Sequence, residues 1–295
     1  GQPVCGRAGS SWNVAEPFFP KERLIILGGG HVALPVAEFG ARVGFLVTVV
    51  DDRLSFANPG RFPMAEKVIC DDFGHAIKEL KIQESDYICI VTRGHRHDAD
   101  CLRMIGKGKE PAYLGMIGSR RRVGIVKQEL LEEGYDPERM SRLKSPIGLK
   151  IGGVTPEEIA ISILAEIIQV KRMDREDKRV KNRSDLDFDV LKRLADEPDE
   201  PKAVVTVIES KGSSPRGAGA KMIVYRDGRI LGSIGGGCSE AAVLGEARSL
   251  IGSGRYKVVH VDLTGEAAED EGMVCGGIMD VLVEDFATDR EPCDR

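Results

Sequence analysis

The feature that most constrains the fold is an alternation of short apolar runs with longer helical patterns between Arg23 and about Arg172. The runs are almost entirely apolar, as strands buried on both faces of a sheet must be. They are LIIL at 24–27, FLVTVV at 45–50, KVIC at 67–70, YICIVT at 87–92 and AYLGMIG at 112–118. Helical patterns such as VALPVAEFGARVG and RRRVGIVKQELLEEG lie between them. This alternation predicts right-handed crossovers and an α/β fold with a Rossmann-like, doubly wound parallel sheet.

A long helix is predicted to close this domain, in the stretch TPEEIAISILAEIIQVKR. Thr155 is a suitable N-cap, Pro156 suits the first helical position, and Glu158 completes a capping box. One face of the helix is apolar and is formed by Ile159, Ile163, Ile167 and Val170.

A smaller α+β domain is predicted after a polar linker. Its elements are a strand AVVTVIES, a hairpin KMIVYRDGRILGSI turning at Asp227 and Gly228, a helix SEAAVLGEARSLI, and the strands YKVVHVDL and IMDVLVEDF. We therefore divide the chain of 295 residues into an N-terminal extension at 1–22, the Rossmann-like domain at 23–172, the linker at 173–185, the small domain at 186–287 and a tail at 288–295.

Charge and cysteine content exclude several classes of protein. A net charge of -5 argues against nucleic acid or an anionic membrane as the main partner. No run reaches the roughly 18 apolar residues of a membrane span, and the chain opens on no signal-like stretch. Seven cysteines without a CxxC pair argue against a disulfide framework. We expect a cytoplasmic protein that binds a small molecule or another protein, and a homodimer is compatible with the sequence.

The first glycine-rich loop, GGGHVA, follows a predicted strand and precedes a predicted helix. Gly28, Gly30 and Ala33 have the spacing of a dinucleotide-binding turn, and Asp51 ends the second strand, where such folds place an acid. Small residues let the backbone approach a pyrophosphate at a helix N-terminus, and the acid can accept a hydrogen bond from a ribose hydroxyl. The alternative is a tight turn without a ligand.

Basic residues are predicted to gather beside this loop. With a strand order of 3-2-1-4-5, the segments TRGHRHDAD and GMIGSRRR lie at the same end of the sheet as the loop. Their cations indicate a phosphate-bearing ligand, while Arg121 and Arg122 are interpreted as a solvated helix start. The residues brought together in this way are Arg93, His95, Arg96, His97 and Arg120.

Other polar residues of this domain allow narrower predictions. Asp51 and Asp52 favour an NAD-type ligand over one with a 2'-phosphate, although the neighbouring Arg53 weakens that preference. The spacing of His31, His95 and His97 does not place them toward one point, so no metal site is predicted. Cys70 and Cys89 fall inside apolar strands, and we expect both thiols to lie in the core.

The second glycine-rich loop lies in the small domain. Gly235, Gly236 and Gly237 follow a strand and lead into Cys238 at a helix start, where backbone amides and the helix dipole stabilise an anion or a thiolate. Cys275 lies in GMVCGG just before the last strand. These thiols can line one pocket with the polar residues of GSSPRGAGAK, which are Ser213, Ser214, Arg216 and Lys221. The alternative is a set of tight turns with incidental cysteines.

These motifs carry a resemblance to a known family. SSPRGAGAKM, GSIGGGCSE, DLT and GMVCGG resemble the signature of the XdhC/CoxI family, accessory proteins for xanthine dehydrogenase and carbon monoxide dehydrogenase. GGGHVALPVAEFG, DDR, RFP, TRGHRHD, GMIGSRRR and SPIGL are similar to the Rossmann-like domain of that family. In the family the small domain usually precedes the Rossmann-like one, whereas here it follows.

The resemblance implies a maturation protein. Such a protein binds molybdenum cofactor, supports its sulfuration together with a cysteine desulfurase, and delivers it to an apo molybdenum hydroxylase. The residues expected to contact molybdenum cofactor or an NAD(P)-like adenine nucleotide are Gly28, Gly29, Gly30, His31, Asp51, Arg53, Arg93, His95, Arg120, Ser214, Arg216, Gly235, Gly236, Gly237, Cys238 and Cys275.

Two other functions remain open at the level of sequence. One is an NAD(P)-dependent oxidoreductase acting on a small heterocyclic substrate, with His95 or His97 as the acid. The other is an assembly scaffold that senses a nucleotide and changes its affinity for the hydroxylase.

Overall fold

The computed structural model describes residues 4–8, 11–173, 185–212, 214, 216–262 and 277–286. The chain divides into two compact units. One, here called the Rossmann unit, spans 19–181; the other, here called the antiparallel unit, joins 1–18 to 182–295. Among the helices that the structure describes, none is both long and apolar enough to cross a membrane.

The described elements follow in chain order. The strands are β1 (Val4–Ala8), β2 (Ser11–Ala15), β3 (Arg23–Leu27), β4 (Leu46–Asp51), β5 (Lys67–Cys70), β6 (Tyr87–Ile90), β7 (Tyr113–Met116), β8 (Lys202–Gly212), β9 (Lys221–Tyr225), β10 (Ile230–Gly232), β11 (Tyr256–Asp262) and β12 (Gly277–Phe286). The helices are α1 (Ala33–Arg42), α2 (Phe73–Leu80), α3 (His95–Gly106), α4 (Arg120–Glu132), α5 (Pro137–Arg142), α6 (Pro156–Met173), α7 (Phe188–Asp196) and α8 (Gly237–Leu250).

The Rossmann unit contains a five-stranded parallel sheet in the order β5-β4-β3-β6-β7. This confirms the predicted fold and the strand order 3-2-1-4-5. Side chains alternate between the faces along each strand. On β3, Leu24 and Ile26 belong to the core shared with α1 and α6, whereas Ile25 and Leu27 belong to the core shared with α2, α3 and α4. Helices therefore cover both faces, which explains why the central strands are apolar throughout.

The two cysteines predicted in the core have different environments. Cys89 lies on the interior strand β6 and is buried, and this burial raises the pKa of its thiol. Cys70 is exposed, so its prediction as a core residue was wrong. The reason is topological, because β5 is an edge strand that pairs only with β4, and Cys70 is its last residue.

The closing helix α6 confirms its predicted capping box. The Glu158 N–H donates to Thr155 Oγ1 at 3.3 Å, and the Thr155 N–H donates to Glu158 Oε2 at 3.0 Å. These bonds satisfy backbone donors that the first helical turn leaves open. Ile163 and Ile167 are fully buried against the sheet.

The antiparallel unit contains a five-stranded sheet in the order β10-β9-β8-β12-β11. Helix α8 covers one face through Val243, Ala247 and Leu250. Val190 of α7, a helix that the sequence analysis missed, packs against Ile223 and Tyr225 in a separate small core. The predicted α+β architecture is confirmed.

The first residues of the chain belong to this antiparallel unit. Strands β1 and β2 pair as a hairpin. Directly after it, Glu16 Oε2 lies 2.7 Å from Nζ of the buried Lys221, which also donates to Thr206 Oγ1 at 2.9 Å. A buried ammonium needs such partners, because an unpaired charge in the interior is costly. The segment before the Rossmann unit thus supplies a buried ion-pair partner to β9.

Candidate functional site

The first glycine-rich loop joins β3 to α1 in close contact with two neighbouring segments. A Cβ on Gly28 would lie 2.5 Å from the carbonyl oxygen of Val91, and one on Gly29 would lie 2.4 Å from that of Phe56. Gly28 also has a φ of +112°, which disfavours any side chain. A Cβ on Gly30 would meet open space. Two of the three glycines are therefore required by internal packing, and only Gly30 borders free space.

Asp51 at the end of β4 is committed to holding this loop. Its side chain is buried, with 1% of the residue exposed. The Gly29 N–H donates to Asp51 Oδ2 at 2.8 Å, and the Arg53 side chain donates to both carboxylate oxygens at 2.8 and 3.0 Å. Burial acts to raise the pKa of Asp51, but hydrogen bonds from Arg53 and Gly29 outweigh it and hold the pKa below its usual value. A contact between Asp51 and a ribose hydroxyl would have to compete with these bonds.

At the carboxyl end of the parallel sheet, several of the predicted residues lie close together, but their charges form ion pairs with one another. Arg93, after β6, donates to both carboxylate oxygens of Asp52, after β4, at 3.0 and 2.8 Å. This bidentate pair joins the two strand ends as the strand order predicted. Because Arg53 and Arg93 face Asp51 and Asp52, the four charges neutralise one another.

Arg61 was missed by the sequence analysis as a loop contact. Its side chain donates to the carbonyl oxygens of Gly29 and Gly30 at 3.2 and 3.4 Å and lies 5.6 Å from the Phe56 ring centroid. Only the motif RFP pointed to it. Arg61 thus places a cation in direct contact with the backbone of Gly30.

The basic segments after β6 and β7 meet only in part. Arg96 and Arg120 are exposed, and the His97 ring packs edge-on against Phe73 at 5.5 Å. His95 is the first residue of α3, and its side chain lies outside the described residues. Whether His95 lies close to His31 is therefore not tested. Within the described part of the chain, no three His, Cys, Asp or Glu side chains are placed to share a metal ion.

Arg122 corrects the interpretation of the α4 start as solvated. Its guanidinium pairs with the carboxylate of Asp98, which is fully buried in the first turn of α3. Burial raises the pKa of Asp98, and Thr92 Oγ1 donates to the same carboxylate. A buried acid needs a cation and donors, so the arginine serves the interior rather than solvent. Arg121 is exposed as predicted.

The second glycine-rich loop has an unusual backbone. Gly235, Gly236 and Gly237 all have positive φ values, of +137°, +73° and +53°. Each would be strained with a side chain. A Cβ on Gly236, the N-cap of α8, would nevertheless meet open space. At Gly236, glycine therefore permits a backbone shape and does not accommodate a packed neighbour.

Polar side chains already satisfy part of this loop. The Gly235 N–H donates to Ser233 Oγ at 3.1 Å, and the Gly236 N–H donates to Glu240 Oε1 at 3.0 Å. Ser233 Oγ in turn donates to Glu240 Oε1 at 2.7 Å. Cys238 lies in the first turn of α8, and its side chain is outside the described residues. An anion at this loop would replace Glu240 or bind beside it.

Strands β8, β10 and β11 end, and β9 and β12 begin, on the same side of the antiparallel sheet, here called the motif end, although β10 ends at the level of Val205 on β8 whereas β8 itself continues to Gly212. Gly277 at the start of β12 pairs with Gly212 at the end of β8, and Asp262 at the end of β11 pairs with Ile278. Gly232 at the end of β10 pairs with Met222 near the start of β9. In chain order, the segment 213–220 therefore joins β8 to β9, the segment 233–236 joins β10 to α8, and the segment 263–276 joins β11 to β12. Cys275 lies in the last of these, outside the described residues, two positions before β12.

The cations predicted at this end are paired internally. Arg216 Nε donates to Asp185 Oδ2 at 2.6 Å, and the Gly217 N–H donates to the same oxygen at 3.1 Å. Ser214 Oγ donates to the Arg216 carbonyl at 2.8 Å. Lys221 is held by Glu16 and Thr206. Within the described part of the chain, Arg216 and Lys221 are therefore both engaged in ion pairs.

One cavity of about 100 Å³ in the Rossmann unit lies away from the glycine-rich loop. It is found where β7 begins, at the amino end of the sheet, and its lining includes Tyr113, Tyr135 and Arg142. Arg142 is paired there with Glu110. This cavity does not contain any of the predicted site residues.

Both halves of the chain match known family models. Residues 24–167 match the XdhC Rossmann domain, and residues 195–262 match the XdhC and CoxI family. The chain belongs to the XdhC and CoxI family. The Rossmann match precedes the XdhC and CoxI match, so the order of the two regions is the one that the motifs predicted.

Relatives share parts of the chain. It is 36% identical over 168 residues to "Uncharacterized protein YqeB" of Escherichia coli K12, covering 57% of this chain and 30% of that protein. It is 34% identical over 153 residues to a probable xanthine dehydrogenase subunit of Bacillus subtilis 168, covering 52% of this chain and 44% of that protein. It is 40% identical over 74 residues to "Molybdenum cofactor insertion chaperone PaoD" of Escherichia coli K12, covering 25% and 23%. The chain thus spans less than half the length of each of these relatives.

Proposed function

We propose that this chain is an accessory protein that binds molybdenum cofactor and delivers it to a molybdenum hydroxylase of the xanthine dehydrogenase type. Membership of the XdhC and CoxI family supports this role, as do relatives named for molybdenum cofactor insertion and for xanthine dehydrogenase. The structural observation that carries the proposal is the motif end, where the second glycine-rich loop leads into Cys238 at the start of α8 and where β11 ends and β12 begins on either side of the segment that contains Cys275.

The chemistry of the motif end suits this cargo. Molybdenum cofactor is a pterin dithiolene that carries a phosphate, so it presents a sulfur-rich metal at one end and an anion at the other. A thiol at a helix N-terminus has a lowered pKa, and thiolates are soft ligands, so Cys238 suits the metal end. We place Cys275 beside it. Because Arg216 and Lys221 are paired internally, we assign the phosphate to the backbone amides of the glycine-rich loop, where it would displace the Glu240 carboxylate from the Gly236 N–H.

Handling of the cofactor would involve other proteins. We propose that the cofactor is sulfurated while bound, with a cysteine desulfurase as the sulfur source, and then passed to the apo-hydroxylase. The chain itself would need no turnover for this role.

For the Rossmann unit we propose a phosphate-bearing ligand of the adenine nucleotide class near Gly30, with Arg61 and Arg120 as cations. An NAD(P)-dependent oxidoreductase has less support. Such enzymes use the acid at the end of the second strand for the ribose, whereas Asp51 is buried and accepts hydrogen bonds from Gly29 and Arg53.

Cofactor retention tests the main proposal. Purified protein would be mixed anaerobically with molybdenum cofactor and separated by gel filtration, with molybdenum measured in the protein peak. We expect wild type to retain molybdenum. The Cys238→Ala and Cys275→Ala variants should each retain at least tenfold less molybdenum than wild type. Cys70→Ala, which removes an exposed thiol from the Rossmann unit, is the matched control and should retain it. Failure of wild type to retain molybdenum, or full retention by both variants, would refute the proposed site.

A further inference from the structure

A buried ion pair in the antiparallel unit joins a cation of the family motif to an acid from another part of the chain. Lys221 ends the motif stretch GSSPRGAGAK and begins β9, and 7% of its side chain is exposed. Its Nζ lies 2.7 Å from Glu16 Oε2 and donates to Thr206 Oγ1 at 2.9 Å. Glu16 follows β2 and lies outside the residues that match the family models, 24–167 and 195–262. The motif cation is therefore neutralised by a carboxylate that the matched region does not supply.

The Glu16 carboxylate is only partly satisfied in this position. Its Oε1 is buried and accepts no hydrogen bond from the part of the chain that the structure describes. By comparison, Oδ2 of Asp185, which neutralises Arg216 in the same motif, accepts hydrogen bonds from Arg216 Nε and from the Gly217 N–H. A buried acceptor without a donor lowers stability, because it has lost its hydrogen bonds to water. Glu16 thus fits its position beside Lys221 less well than Asp185 fits beside Arg216.

The segment that carries Glu16 is held outside the main sheet. Strands β1 and β2, of five residues each, form a two-stranded sheet of their own, and among the described strand pairs neither joins the five-stranded sheet. A two-stranded hairpin is at best marginally stable in water by itself. Residues 4–8 and 11–18 are here called the strap. Lifting the strap would break none of the described strand pairs of the five-stranded sheet.

The ion pair lies on the face of the sheet opposite to α8. Side chains alternate between the two faces along a strand, and Met222 packs in the core shared with α8, whereas Ile223 packs in the small core with α7. Lys221 therefore shares the face of Ile223, and so does its cross-strand neighbour Thr206. An anion held by Lys221 would be separate from the cofactor phosphate that we assign to the amides at the start of α8. The site is therefore independent of the proposed cofactor role.

We propose that Lys221 and Thr206 form a binding site for a phosphate group, and that Glu16 of the strap occupies this site as a built-in anion until a ligand replaces it. A phosphate that replaces Glu16 keeps an anion beside the ammonium, so the exchange leaves no unpaired charge in the interior. Thr206 Oγ1 accepts a hydrogen bond from Lys221, and its hydroxyl can donate one to the phosphate at the same time. Once the strap has lifted, water reaches the other phosphate oxygens and both oxygens of Glu16. The exchange thus removes the unsatisfied acceptor at Glu16 Oε1.

Equilibrium dialysis against inorganic phosphate, at constant ionic strength, tests the site. Glu16→Gln should bind phosphate at least tenfold more tightly than wild type, because a neutral amide replaces the competing carboxylate. Adding Lys221→Met to Glu16→Gln should abolish the gain. Glu22→Gln is the matched control, since Glu22 forms a similarly buried pair with Lys171 of the Rossmann unit at 2.8 Å, and it should bind phosphate as wild type does. Phenyl phosphate is tested in parallel: a gain for both probes assigns the phosphate group of a larger ligand, and a gain for inorganic phosphate alone assigns the free ion.

Hydrogen exchange of the wild type supplies a measurement that needs no variant. Phosphate should speed the exchange of the β2 amides, because ligand and closed strap exclude each other, whereas sodium chloride of equal ionic strength should not. Thermal unfolding checks that each variant is folded. Equal phosphate affinity of wild type and Glu16→Gln would overturn the proposal, as would a gain that persists with Lys221→Met. If Glu16→Gln does not fold, β2 exchange that phosphate leaves unchanged in wild type would overturn it instead.

Discussion

The two glycine-rich loops resemble each other in sequence but use glycine for different physical reasons. In the Rossmann unit, Gly28 and Gly29 are needed because the backbones of Val91 and Phe56 press against them. In the antiparallel unit, Gly236 has free space around it and is needed for its positive φ. The first loop is packed against protein, and the second holds an open shape at a helix N-terminus. Because it has open space beside Gly236, the second loop is better suited to bind a ligand.

Their hydrogen bonds differ in the same sense. Asp51, which satisfies Gly29, is buried and locked by Arg53. Glu240, which satisfies Gly236, is half-buried and is held by the loop amide and the Ser233 hydroxyl. Displacing Asp51 would leave the Gly29 N–H and the Arg53 side chain without their acceptor in a buried site. Glu240 is half-buried, so its side chain can turn toward solvent at a moderate cost in free energy. We therefore expect substitutions to affect folding in the first loop and binding in the second.

The largest effect on stability is expected from Gly28→Ala. The added Cβ would meet the Val91 carbonyl and would also be strained at a φ of +112°. Overpacking and backbone strain together should cost about 3 kcal/mol of unfolding free energy. Hydrogen exchange of the β3 amides measures this loss within the Rossmann unit. Gly30→Ala is the control, since its Cβ meets open space, and equal effects from the two substitutions would break the comparison.

A smaller effect is expected from Asp51→Asn. The variant loses charge-assisted hydrogen bonds to Arg53, and we expect about 2 kcal/mol of destabilisation at pH 7. The pKa of Asp51 is lowered in the folded protein, so its contribution is present above the unfolded pKa of about 3.9 and is lost as the pH falls through the folded pKa.

Denaturant unfolding of both proteins at pH 7 and pH 3 measures this dependence. The difference in unfolding free energy between wild type and Asp51→Asn should be smaller at pH 3 than at pH 7. A gap that does not change with pH would show that the charge of Asp51 does not hold the first loop.

The sequence sufficed for features that depend on local pattern. The apolar runs predicted the parallel sheet, whose strand order is the 3-2-1-4-5 assumed for it, and Thr155 with Glu158 predicted the start of α6. It did not reveal that Asp51 accepts hydrogen bonds from Gly29 and Arg53, nor that Arg122 forms an ion pair with the buried Asp98. Those pairs depend on which segments meet after folding. The exposure of Cys70 was missed because KVIC was interpreted as a strand buried on both faces, although the strand order 3-2-1-4-5 places it at the edge of the sheet.

The central claim is that the second loop, and not the first, receives molybdenum cofactor. Anaerobic retention of molybdenum by Gly236→Ala and Gly30→Ala tests it most directly, because both glycines border open space. At a φ of +73° and a ψ of 176°, a region open essentially to glycine alone, Gly236→Ala should cost about 2 kcal/mol of stability, and thermal unfolding checks that the variant is folded. We predict at least a tenfold loss of bound molybdenum in Gly236→Ala and wild-type retention in Gly30→Ala. Loss in Gly30→Ala with full retention in Gly236→Ala would contradict the account.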